Sequence, residues 1–262
     1  ILSIGNFIGL FLYFILNNWS LIFFLSELFG LIFLLLTTPL FKELIKIRFF
    51  YSEYKNLKIL KKDYLNLLFS SCISNVVIYF DRLLINPLLG GKAVSQYYVA
   101  SLTGKTFSMV ITPINGVLLS YTSRYKNKLS VKTLKLVGIF TLLFIMIGIP
   151  ILNTVSPLVI NLLYPKIYNE AQQYINLVNI VVLTGIASSI LNPFILSKCD
   201  LKWQPRINIL YGMIYIGLGF LFTNQYGLYG FGISSIISNV TRLIYIYLVG
   251  IMTAKKIKFT NG

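Results

Sequence analysis

Five charged side chains stand inside otherwise apolar stretches: Glu27, Asp81, Arg82, Lys105 and Arg242. A charge at the centre of a bilayer costs from about 2.5 kcal/mol upward, so each must find a partner, snorkel to the interface or face water. Counted along a helix, Lys105 and Arg242 fall near mid-membrane, and Glu27, Asp81 and Arg82 in the outer third. Ser101, Lys105, Ser108, Thr112, Asn115 and Thr122 follow steps of three, four and seven, which puts them on one narrow helical stripe. Gly104 and Gly116 flank that stripe and would let a neighbour approach closely, and Pro113 is expected to kink it. Arg242 shares a face with Ser235, Ser238 and Asn239. Asn66, Ser70, Ser71, Ser74 and Asn75 lie on the same half of a helix as Asp81 and Arg82, and Thr184, Ser188 and Asn192 form a weaker stripe.

Three cations, Lys105, Arg242 and Arg82, against two carboxylates, Asp81 and Glu27, would leave a cavity net positive, which suits an anionic substrate. Asn75, Ser108, Thr112, Asn115 and Asn239 would supply its hydrogen bonds. The alternative for the charges is pairing, with Asp81 neutralising Arg82, and Asp81 and Glu27 are also the available ion-coupling groups. No histidine is present, which removes the commonest general base and metal ligand. Cys72 and Cys199 read as small apolar fillers, with neither a disulfide framework nor metal spacing. No metal and no cofactor is expected.

The elements that must position these residues are membrane helices. The 262 residues are 56% hydrophobic and only 11% charged, too few charges to cover a soluble domain. About 20 apolar residues cross a bilayer as a helix. The runs that qualify are 1–16, 20–41, 64–85, 93–121, 133–152, 171–196, 207–222 and 227–252, about eight spans in an all-α integral membrane protein. Their length and lack of period-two alternation exclude a strand reading. The net charge of +16 does not point to nucleic acid, because the lysines and arginines concentrate in short loops. Basic loops (42–63, 124–135, 198–206 and the tail from Lys255) alternate with nearly neutral ones (17–19, 87–92, 153–170, 223–226). By the positive-inside rule both ends are cytoplasmic. The stretch 42–63, with Phe49, Phe50, Tyr51 and Tyr54, reads as a juxtamembrane helix on the anionic inner leaflet. The chain opens on Ile1 and enters an apolar run with no basic region or cleavage site, so it does not read as a signal peptide. The expectation is a chain lacking an N-terminal part.

Asp81-Arg82-Leu83-Leu84-Ile85, Leu89-Gly90-Gly91, Ala93-Val94-Ser95 and Tyr98-Val99-Ala100 together resemble a stretch of O-antigen-type polysaccharide flippases. These belong to the multidrug/oligosaccharidyl-lipid/polysaccharide exporter superfamily. Gly227, Gly230, Gly232, Ser234, Ser235 and Ser238 are similar to the opening of the last helix of that family's C-terminal lobe. Leu162 to Ala171 resembles its short outer segment, with Pro165 where the family usually has glycine. Ser95 also stands where glycine is usual. The resemblance covers roughly 64–254 and implies a domain plan: 1–41 as the last two helices of an N-terminal lobe, 42–63 as a linker, and 64–256 as a six-helix C-terminal lobe. It further implies translocation of an anionic isoprenoid-pyrophosphate-linked glycan across a bacterial plasma (inner) membrane by alternating access. The partners implied are that glycan, membrane lipids, and polysaccharide polymerase and chain-length proteins. Two alternatives stay open. One is a cation-coupled drug or solute antiporter, which needs more acidic residues than Asp81 and Glu27. The other is a membrane polysaccharide polymerase or acyltransferase, for which the outer loops offer only Glu170 as an acid.

Overall fold

The computed structural model describes Leu25, Leu28, Gly30 and Ile32 together with residues 57–124 and 131–259. Glu27, most of the first two expected spans, and residues 42–56 of the linker lie outside the described residues. The chain divides into two compact units, Ile1–Ile59 and Leu60–Gly262. From Leu57 onward the described residues form four helices: α1 (Leu57–Arg124), α2 (Val131–Leu163), α3 (Pro165–Lys198) and α4 (Trp203–Phe259). All four are long and apolar enough to cross a membrane.

Two of the helices are hairpins. Gly90 in α1 has φ 85° and Gly227 in α4 has φ 60°, a left-handed backbone that costs other residues about 1–2 kcal/mol. The chain reverses at each. Asp81 and Lys105 are 24 residues apart yet bonded at 3.2 Å; a straight helix would separate them by about 36 Å. Arg242 and Asn208, 34 residues apart, also touch. The described part of the second unit therefore consists of six helical arms, joined at one end by Gly90, Tyr164 and Gly227. At the other end the Lys198–Trp203 turn joins α3 to α4, and there the Lys202 N–H and ammonium bind the Asp200 carboxylate and hold it below its ordinary pKa.

The packing buries many polar side chains within its apolar core and exposes many large apolar ones. Ser156, Asn179, Ser188, Ser234, Ser235 and Ser238 are fully buried. Leu162, Leu158 and Met109 are 81%, 73% and 72% exposed. A soluble protein would reverse this, since burying those side chains is worth about 1.5–3 kcal/mol each in water. The sequence wheel puts Leu65, Leu68, Phe69, Cys72, Ile73, Val76, Tyr79, Phe80 and Leu83 on an apolar half of the first arm; all are exposed except Ile73 and Phe80, which pack against the core. The main core joins both arms of α1 to α3 and α4, with Tyr97 edge-on to Phe231 at 5.0 Å and Phe80 to Tyr215 at 6.1 Å. A second cluster, Leu191, Ile195, Ile207, Ile246 and Val249, ties α3 to both arms of α4.

Several expectations change. The stretch 153–170, read as the longest outer loop, is helical except at Tyr164. Its polar residues are not loop residues: Asn179 in α3 donates to the Asn153 carbonyl oxygen at 2.9 Å and accepts from the Ser156 hydroxyl at 3.2 Å. The first arm begins at Leu57, so the last residues of the expected linker belong to it. The backbone stays helical through Pro113. Gly104 does meet a neighbour, because a Cβ there would lie 3.0 Å from Val182, whereas Gly116 faces open space.

Gly90 and Gly116 form a controlled pair, since a Cβ would meet nothing within 4 Å at either. Gly90→Ala should destabilise by about 1–2 kcal/mol, and Gly116→Ala should stabilise by about 0.5–1 kcal/mol. Thermal unfolding midpoints of the purified variants in one detergent will show this. Equal midpoints would exclude a left-handed turn at Gly90.

Candidate functional site

Ser70, Ser71, Ser74 and Asn75 fall within six residues of α1, so one face of its first arm is hydroxyl- and amide-rich. Gln204 and Asn208, one turn apart, do the same for the start of α4. Asn192 comes from α3 and Arg242 from the second arm of α4. Together they line a cavity of about 310 Å³ at the Lys198–Trp203 end of the bundle. Asn208 is its hub. Its amide nitrogen donates to the Ser70 and Ser74 hydroxyls at 2.6 and 2.9 Å, and its oxygen accepts from Arg242 Nη2 at 3.4 Å. Gln204 Nε2 donates to Asn192 Oδ1 at 3.0 Å.

Arg242 is held from two sides without being neutralised. Its guanidinium lies 4.8 Å over the Tyr211 ring, and its Nε is buried with no partner among the described residues. Among the described residues no carboxylate lines the cavity. A guanidinium cannot shed its proton, so the arrangement keeps a positive charge and spare donors beside a polar wall. It can bind an anion carrying hydroxyls.

The other expected residues lie elsewhere. Asp81 is buried, and its carboxylate accepts from Lys105 Nζ at 3.2 Å and from the Arg82 backbone N–H at 2.7 Å. Its side-chain partner is thus Lys105 rather than Arg82. Lys105 is six residues farther from Gly90 than Asp81 is, about 9 Å along a helix. Helical side chains lean toward their own N-terminus, so the lysine stem points back toward the turn and closes that gap. The Arg82 guanidinium sits 5.3 Å over the Tyr98 ring. The Lys105 ammonium lies 5.4 Å from the same ring, so Arg82 and Lys105 flank Tyr98, while Arg242 lines the other cavity.

The narrow stripe is used for bonding. Ser108 and Thr112 donate to the carbonyls of Lys105 and Ser108. Asn115 donates to Ser189 of α3 at 3.1 Å. Asn239 is buried, donating to the Val181 carbonyl at 2.9 Å and accepting from the Tyr211 hydroxyl at 3.1 Å. Of the expected set, only Asn75 joins Arg242 at the cavity. Asn208 and Gln204 escape sequence reading because they border a basic loop, where polar residues carry little information. Their spacing of four on one face was the available signal.

The Asp81–Lys105 pairing gives a double-mutant test. Asp81→Asn and Lys105→Met should each lower stability, and together should recover about 1 kcal/mol of the summed loss. The effect stays small because Lys105 keeps 36% of its side chain exposed. Asp81→Asn with Arg82→Met should show no such recovery, and recovery there in place of the Lys105 pair would refute the pairing. Comparison with protein-family models, curated proteins and solved structures returns no match, so the reading of these sites rests on their own chemistry.

Proposed function

We propose that this protein translocates an anionic, isoprenoid-pyrophosphate-linked oligosaccharide across a bacterial plasma membrane by alternating access. The observation that carries the reading is the unneutralised Arg242 in a cavity walled by asparagine, glutamine and serine within an apolar bundle. A pyrophosphate needs charge-assisted donors in a low-dielectric site. A glycan needs amides and hydroxyls that both donate and accept. The reaction class requires no covalent change, hence no base or nucleophile.

Loop charge supports the direction. The cavity lies near the end of the bundle that carries Lys198, Lys202 and Arg206, with Lys61 and Lys62 at the start of α1. If basic loops mark the cytoplasm, the cavity opens toward the inner leaflet, where such a substrate would be loaded. On this reading each helical arm is one crossing. The two apolar runs before Lys42 bring the total to eight, and both ends of the chain are cytoplasmic. The implied partners are the lipid-linked glycan, membrane lipids and the polymerase and chain-length proteins of a polysaccharide pathway. The cation-coupled antiporter is the second reading. The buried Asp81 favours it, as a carboxylate that exchange of its lysine partner for a proton or cation could release.

Two experiments test the proposal. With the full-length protein, glycan export is scored against membrane-fraction abundance. Arg242→Ala should cut export at least tenfold, the loss of about 1.5–3 kcal/mol of charge-assisted hydrogen bonding, at near-normal abundance. Arg242→Lys should retain part, and Lys105→Met should cost less than Arg242→Ala. Unchanged export in Arg242→Ala would sink the cavity as the anion site. For orientation, single cysteines at Asn18, Gly91, Asn169 and Asn224, placed in a Cys72→Ala, Cys199→Ala background, should react with an impermeant thiol reagent from outside. Asn127→Cys should not, and the reverse pattern would invert the topology.

A further inference from the structure

The Gly90–Tyr164 end of the bundle carries a second cleft, far along the arms from Arg242. It has a volume of about 400 Å³ and is lined by Arg82, Ser95, Tyr98 and Tyr164 over Val94 and Val99. Its charge follows from its neighbours. Both nearby carboxylates are already engaged: Asp81 by Lys105 at 3.2 Å, and Glu170 by Lys92 at 2.7 Å and Gln96 at 2.8 Å. Arg82 thus has no carboxylate among the described residues. The Arg82 guanidinium carbon lies 5.3 Å from the centre of the Tyr98 ring, a cation–π contact that leaves its N–H groups available to an anion. The Ser95 hydroxyl donates to the Gly91 carbonyl at 3.1 Å. The Tyr98 and Tyr164 hydroxyls make no hydrogen bond to another described residue, so both can donate outward. A guanidinium fork, two phenol donors and no acidic group match a phosphate. Val94, Val99 and Ile167 make the rest of its lining apolar, which suits a phosphate that carries a hydrocarbon chain.

We propose that this cleft binds the phosphate of a lipid. The inference rests on the proposed function only in assigning this end to the outer face. There the phosphate would belong to the isoprenoid pyrophosphate after its crossing or to a phospholipid headgroup.

The test uses the full-length protein in lipid nanodiscs with three diazirine-bearing lipids: a polyprenyl pyrophosphate, phosphatidylglycerol and a neutral diacylglycerol. Cross-linked peptides are mapped by mass spectrometry. One or both phosphate-bearing probes should label the cleft peptides around Ser95–Val99 and Tyr164–Ile167 well above the neutral lipid. Arg82→Gln should lower that labelling at least about tenfold, and Arg82→Lys should keep part of it. Monodisperse elution of both variants confirms that they are folded. Preferential labelling by the pyrophosphate identifies the carrier as the source, and equal labelling by phosphatidylglycerol identifies bulk phospholipid; either supports a lipid-phosphate site. Labelling by the neutral lipid to the same extent, or labelling unchanged in Arg82→Gln, overturns it. Arg242→Ala should leave cleft labelling intact, so the two sites can fail separately. Loss of Arg242-dependent export would not be expected to follow from an Arg82 result, and Arg242-independent export would leave the cleft standing.

Discussion

An amide buried among apolar helices must satisfy its donors and acceptor inside the bundle, because a lipid exterior offers none. In this molecule that requirement falls on asparagine. Asn179 joins α3 to Asn153 and Ser156 of α2. Asn239 joins α4 to Val181 and Thr184 of α3 and to Tyr211 across its own hairpin. Asn208 joins α4 to Ser70 and Ser74 of α1, and Asn115 joins the second arm of α1 to Ser189 of α3. Hydrogen bonds between membrane helices average only about 0.6 kcal/mol, so the joints contribute less to stability than to register. Slip any helix by one residue and an asparagine faces hydrocarbon. Apart from those that meet an asparagine, the serines and threonines do not share this task. Most of them donate to a carbonyl three or four residues back, which satisfies a hydroxyl without needing a neighbour.

Charges meet the same requirement in three different ways, and the differences separate structure from chemistry. Asp81 and Lys105 satisfy each other across a hairpin. Lys92 and Glu170 do so in the open, where solvent screening leaves such a pair little net strength. Arg242 is satisfied only in part, by an amide oxygen and an aromatic face, and a buried unpaired N–H remains. A fold that needed Arg242 merely as glue would be served by a carboxylate or by a residue with fewer donors. An incompletely satisfied cation next to a polar cavity has a physical cost that binding an anion would offset.

Much of the fold was legible because lipid imposes simple rules. Apolar runs of about 20 residues mark the helices, and most of the wheel's apolar half of the first arm, Leu65 to Leu83, is exposed, with Ile73 and Phe80 packed against the core instead. Helix ends were less legible. Asn153, Ser156 and Pro157 look like loop residues by type, and only the partner at Asn179, 23 residues from Ser156, makes them helical. The candidate site divides in the same way. Which residues are polar and near mid-membrane can be counted from the sequence. Which of them face one another depends on how two hairpins fold at Gly90 and Gly227, and that decides that Lys105 meets Asp81 instead of Arg242. Asn208 was hard to read as a hub, since its spacing of four from Gln204 hints at a shared face but not at bonds to Ser70, Ser74 and Arg242.

The core between the two ends limits what this unit can do alone. Beyond Arg242 come Tyr211, then Tyr215 with ring centroids 5.7 Å apart, then Phe231 at 5.8 Å from Tyr215 and Tyr97 at 5.0 Å from Phe231. Phe231 is fully buried, and Tyr97 and Tyr215 nearly so. These buried rings follow one another along the axis of the second unit, so among the described residues they leave no path for a glycan between its arms. On the proposed function the six arms are a wall, and the substrate must move along a surface of this unit rather than between its helices. The wall can then be rigid. The asparagine joints hold its register, while the change in access comes from motion of the unit as a body.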